Sequence, residues 1–99
     1  MNDGTYLKRD GYYYPIALDQ GYWAASSETT LEAVGDGDLV GIWTDDTGKL
    51  WIDNTHYFTG LEQALEFANA HNQLTIWDNQ NNATIEVRIG VIRACIRNL

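Results

Sequence analysis

Basic residues are scarce in this chain. Six Lys and Arg stand against 14 Asp and Glu, a formal net charge of −8. Between Asp10 and Glu86 there are 13 acids and one base, Lys49; the other bases, Lys8, Arg9, Arg88, Arg93 and Arg97, lie toward the two ends. Phosphate binding needs a basic surface, so nucleic acid is excluded as a direct partner. The same imbalance suits a basic protein partner, steered by charge. An acidic surface that merely keeps an aromatic-rich protein in solution would carry the same charge.

Other absences narrow the reading further. Cys95 is the lone cysteine, so no intrachain disulfide forms. Its neighbours Ala94 and Ile96 predict a buried, inert thiol. Pro15 is the lone proline and, unable to donate to a ladder, predicts an edge or bulge position for its strand. No apolar run approaches the length of a membrane span, and the N-terminal MNDGTYLKRDGYYY lacks the charged-then-apolar order of a signal peptide. A cytoplasmic protein, monomer or homodimer, is expected, with no membrane partner.

Catalytic signatures are missing too. The chain has no Gly-rich phosphate loop, HExxH, GxSxG or CxxC. Gly35-Asp36-Gly37-Asp38 has calcium-loop residue types without the twelve-residue ligand spacing. Asp53 and His56 stand three residues apart just before the helix, a spacing that fits a general base or part of a metal site but is more often a loop hydrogen bond that fixes the connection. Asn82-Ala83-Thr84 matches the glycosylation sequon by chance, in a chain without a secretory signal. The expectation is a non-enzyme with no cofactor and no metal.

What the chain has in abundance is aromatic surface: 12% of its 99 residues, including Trp23, Trp43, Trp51 and Trp77. Each such ring buries roughly 150–250 Å² when packed, enough for four to organise a small core. The 99 residues suit one domain.

Periodicity predicts one long helix, about 60–71, within Thr59-Gly60-Leu61-Glu62 through His71 and Asn72. Leu61, Ala64, Leu65 and Ala68 make its apolar stripe, and Thr59 with Glu62 fits a capping box. His71 and Asn72 suit its C-terminal end.

Hairpins surround the helix. Asp10-Gly11 joins strands at Tyr6–Arg9 and Tyr12–Leu18 as a type I′ turn, and Gly21 closes a turn into a strand at Tyr22–Ala25. Residues 26–38 are ambiguous between a short helix opened by Thr29 and Glu32 and a ragged strand. Asp45-Asp46-Thr47-Gly48 joins Leu39–Thr44 to Lys49–Asp53, with Gly48 left-handed, pairing Trp43 with Trp51 and Ile42 with Ile52. One face of that hairpin is expected to pack on the helix and the other on the first hairpin or a partner. Leu74–Asp78 and Ala83–Ile89 form a last hairpin ending near Gly90, and the 91–99 tail reads as strand rather than terminal helix. The fold class is α+β: an antiparallel sheet of about five to seven strands with the helix packed on one face.

Aromatics next to acids recur along the chain, and such a surface suits arginine and lysine. Asp36, Asp38, Asp45, Asp46, Asp53, Trp43 and Trp51 are the expected partner-binding residues. Asparagine in place of Asp45 and Asp46 should keep the turn chemistry. By size and charge the chain is analogous to phage counter-defence (anti-CRISPR-like) and immunity or antitoxin proteins. The expected function is inhibition of a basic, nucleic-acid-handling protein, with aspartates imitating phosphates. The alternatives are a non-inhibitory module docking through its aromatic face and, less well supported by the acidic charge, a small-molecule binder.

Overall fold

The computed structural model of the protein describes residues 1–87. Expectations for Gly90, Cys95 and the 91–99 tail lie outside the described residues.

Seven strands and one helix follow in order: β1 (Gly4–Arg9), β2 (Tyr12–Ile16), β3 (Tyr22–Glu28), β4 (Leu39–Thr44), β5 (Leu50–Phe58), α1 (Leu61–Ala70), β6 (Thr75–Asp78) and β7 (Ala83–Glu86). They build one antiparallel sheet in the order β2-β1-β4-β5-β3-β6-β7, and the fold is α+β.

Local turn chemistry sets the hairpins. Asp10 and Gly11 both take positive φ (52° and 81°), as a type I′ turn requires, and Pro15 sits on the edge strand β2, where no ladder bond is lost. Gly48, at φ 87°, closes the β4–β5 turn and fixes the register Ile42↔Ile52 and Trp43↔Trp51.

Strand β5 runs nine residues, to Phe58, rather than stopping at Asp53. Asn54 to Phe58 pair with β3, so His56 is a strand residue and the loop expected there does not exist. Alternation puts Asp53 and His56 on opposite sheet faces, so they do not form a pair. Strand β3 extends past Ala25 to Glu28 through a bulge between Ala25 and Ser27.

Residues 31–33 form neither helix nor strand but a turn, its start held by Ala33 N–H donating to Thr30 Oγ1 at 3.2 Å. Lys8 Nζ donates to the carbonyls of Leu31 and Val34, at 3.1 and 2.7 Å, and Tyr13 Oη donates to Leu31 as well. These bonds hold Val34 down on the sheet.

The helix begins at Leu61 with Gly60 as its N-cap and no side-chain cap, so the Thr59–Glu62 capping box does not form. Asn72 does take the left-handed conformation, at φ 57°. Ala64 and Ala68 are buried, whereas Leu61, expected in the stripe, is exposed.

One face of the sheet is covered by two separate clusters. Tyr6, Val34, Val40 and Ile42 form the first, capped by the 31–34 turn. Ala24, Ala64, Ala68 and Ile76 form the second, under the helix. The isoleucine face of the central hairpin therefore packs beneath the turn and not beneath α1. Small alanines on both sides let the helix approach the sheet closely. Between the clusters lies a cleft of about 630 Å³ lined by Ser26, Asp38, Asn54 and His56, among others.

Candidate functional site: the tryptophan face

The opposite sheet face carries all four tryptophans. Trp43 pairs with Trp51 across β4–β5, Trp23 with Tyr57 across β3–β5, and Trp23 with Trp77 across β3–β6. Residues 51, 53, 55 and 57 share one side of β5, so these pairings place every indole together. The β2–β3 connection must travel from the edge past β1, β4 and β5, and its Ala17 and Leu18 line this face on the way. Among the described residues no helix or further strand covers it. What remains is a cleft of about 970 Å³ containing all four indoles.

Two aspartates fix the central indoles. Trp51 Nε1 donates to Asp45 Oδ2 at 2.9 Å, and Trp43 Nε1 donates to Asp53 Oδ2 at 3.3 Å. The rings stack at 5.8 Å with 12° between planes, and Lys49 Nζ sits 3.8 Å from the Trp51 ring centroid. Trp43 is nevertheless 45% exposed, while Trp23, edge-on to Tyr57 at 5.3 Å, is only 8% exposed.

Among the described residues, the ionisable groups lining the cleft are Asp3, Glu28 and Asp53, all acidic. Glu28 and Asp53 are direct cross-strand partners, a destabilising like-charge placement. Burial pushes the Asp53 carboxyl up, Glu28 adds to the rise, and the Trp43 indole opposes it. Among the described residues no cation compensates this pair.

The other expected site residues separate into different roles. Asp45 Oδ1 accepts from Thr47 N–H, Thr47 Oγ1 and Lys49 N–H at 2.8, 2.6 and 3.0 Å, so its carboxylate is wholly engaged by its own turn and by Trp51. The hydrogen bonds from Thr47 and Trp51 hold it well below the usual carboxylate range. Asparagine would keep the three turn bonds to Oδ1 and lose the acceptor for Trp51 Nε1, so the indole and not the turn distinguishes Asp45 from Asn. Asp46 is exposed at the turn tip. Asp36 Oδ2 accepts from Asp10 N–H at 3.2 Å, and Asp38 lines the smaller cleft. Trp43, Trp51, Asp45 and Asp53 thus gather on the tryptophan face, whereas Asp36 and Asp38 lie elsewhere.

Trp23, Trp77, Glu28, Asp3 and Asn79 belong to the site without having been expected there. Asn79 is 4% exposed, lines the cleft, and its Nδ2 has no hydrogen-bond partner.

In the smaller cleft Ser26 Oγ and His56 Nε2 are 3.0 Å apart. Burial, then His71, lowers the His56 pKa, with Asp38 opposing. Within the described residues no third metal ligand joins this group, and no described helix is long and apolar enough to cross a membrane. No family model, curated protein or solved structure matches the chain.

Proposed function

We propose that this is a non-catalytic binding protein that captures a basic segment of a partner protein on its tryptophan face. The observation that carries the reading is the coincidence, in one open cleft, of four indoles with the carboxylates of Asp3, Glu28 and Asp53, where the Lys49 ammonium already lies over the Trp51 ring. Indole faces attract cations, and a desolvated carboxylate strengthens that attraction. Partners rich in such segments are nucleic-acid-binding proteins, whose phosphate-contacting surfaces are built from lysine and arginine. Occupying that surface would exclude the nucleic acid and so inhibit the partner. Because Asp45 and Asp36 are internally bonded, the charge offered to a partner comes from Asp3, Glu28 and Asp53.

Basic, neutral and acidic peptides of equal length, titrated while indole fluorescence is followed, test this reading. Binding should be confined to the basic set, weaken with added salt, and fall roughly tenfold or more in Trp43→Ala, the scale of an aromatic anchor. Equal binding of all three sets, or an unaffected Trp43→Ala, would remove it.

A second reading, docking by apolar contact alone, is favoured by the exposure of Leu74 and Trp77 at the far end of the cleft. It predicts salt-independent binding that tolerates loss of the carboxylates.

A further inference from the structure

One row of residues sets the acidic end of the cleft. Ile16, Thr5, Gly41, Asp53 and Glu28 form a single row across β2, β1, β4, β5 and β3. Gly41 contributes no side chain to this row, and a Cβ there would lie 2.7 Å from Thr55 Oγ1. The Thr55 hydroxyl thus leans over Gly41 and floors the cleft there, with Asp53 and Glu28 beside it. Trp43, two residues along β4 on the same face, walls it.

The groups at this end are specific in chemistry. Asp53 Oδ2 takes the Trp43 indole N–H, and among the described residues no hydrogen bond engages Asp53 Oδ1 or the Glu28 carboxylate. Two like charges are held opposite each other beside an exposed aromatic surface, and among the described residues no ion pair engages either, Lys49 lying instead over the Trp51 ring. A guanidinium is planar, stacks on aromatic faces and presents a fork of donors able to reach two carboxylates at once. An ammonium is a point charge that does not stack, and a neutral side chain leaves both carboxylates opposed.

The far end of the cleft offers a second anchor. Asn79, beside Trp77 and Trp23, has an unpartnered buried Nδ2 suited to a main-chain carbonyl. Three strand spacings and six residues along β5 put the two ends roughly 25 Å apart, the reach of about seven extended residues.

We propose that the occupant is an extended, arginine-bearing segment of a partner protein, its guanidinium against Trp43 and bonded to Asp53 and Glu28. Its apolar side chains cover Trp23 and Trp77, and Asn79 donates to its backbone. This rests on the basic-segment reading above and adds the identity of the recognised side chain.

The test uses the full chain and three end-blocked heptapeptides of valine and leucine with one arginine, lysine or citrulline, titrated by calorimetry. Arginine should bind roughly tenfold tighter than citrulline, with lysine between them. Glu28→Gln and Asp53→Asn should each narrow the arginine-to-citrulline ratio while leaving citrulline affinity within about twofold, a result that loss of fold would not give. Glu28→Asp should restore part of the ratio.

If lysine equals arginine and both exceed citrulline, the guanidinium proposal fails while capture of basic segments stands. If the three peptides bind alike, or none binds, both fail. If arginine binds only after Arg93→Gln and Arg97→Gln, the chain's own arginines hold the site and the partner proposal is overturned.

Discussion

Asp45 shows how one residue decides a turn. Its two oxygens receive four hydrogen bonds, from Thr47, Lys49 and Trp51, which favour the ionised form. A carboxyl whose folded pKa lies below its unfolded value of about 3.9 adds stability that is fully present above that value. That stability is lost as pH falls through the folded pKa. Asp45→Asn should therefore lower the melting temperature at neutral pH and flatten its decline below about pH 4, whereas Asp46→Asn should track the wild type. Thermal unfolding across pH 2–7 checks both; equal behaviour of the two variants would deny Asp45 its role. The sequence showed Asp45 as a turn residue through its spacing to Gly48. It could not show the bond to Trp51, because that depends on which rotamer the indole takes.

Among the elements, the β4–β5 hairpin was fully legible, since turn type, register and facing pairs all follow from six or seven adjacent residues. The helix start was less so: Thr59 and Glu62 have the capping-box spacing, yet Gly60 takes the cap position. The end of β5 was misread because Asn54, Thr55 and His56 are polar, and their strand conformation is imposed by β3 across the sheet. Two glycines at positive φ separate local strain from packing. Gly48 has open space around a would-be Cβ, so Gly48→Val should cost about 1–2 kcal/mol, the penalty of left-handed geometry alone. At Gly21, φ 76°, a Cβ would overlap the Tyr57 ring. Gly21→Val should cost more and shift Trp23 emission to the red, because Tyr57 supports that indole. Chemical denaturation with emission spectra measures both; equal costs would mean that Tyr57 yields freely.

For the whole molecule, fold class and hairpins could be read from the sequence, but sheet order could not. β1 pairs with β4 and β3 with β5, and no local signal announces such long-range neighbours. That order alone puts Glu28 opposite Asp53 and brings Trp23 and Trp77 to the face that holds Trp43 and Trp51. Sequence adjacency of aromatics and acids singled out Trp43, Trp51, Asp45 and Asp53, which the fold gathers on one face. It also drew in Asp36 and Asp38, whose loop belongs to the other side.

Among the described residues the two clusters under the sheet share no buried residue, and a cleft of mixed polar and apolar lining divides them. They are joined chiefly through β5, which borders β4 on one side and β3 on the other. Such a division makes two cooperative units with separate opening energies. Native-state hydrogen exchange should resolve the amides of β1 and β4 from those of β3, β6 and α1 as two isotherms; a single isotherm would show that β5 welds the halves together. The tryptophan cleft spans both units, with Trp43 on one and Trp77 on the other. A segment bound along it would act as a splint, slowing exchange in both units at once and merging their two isotherms toward one.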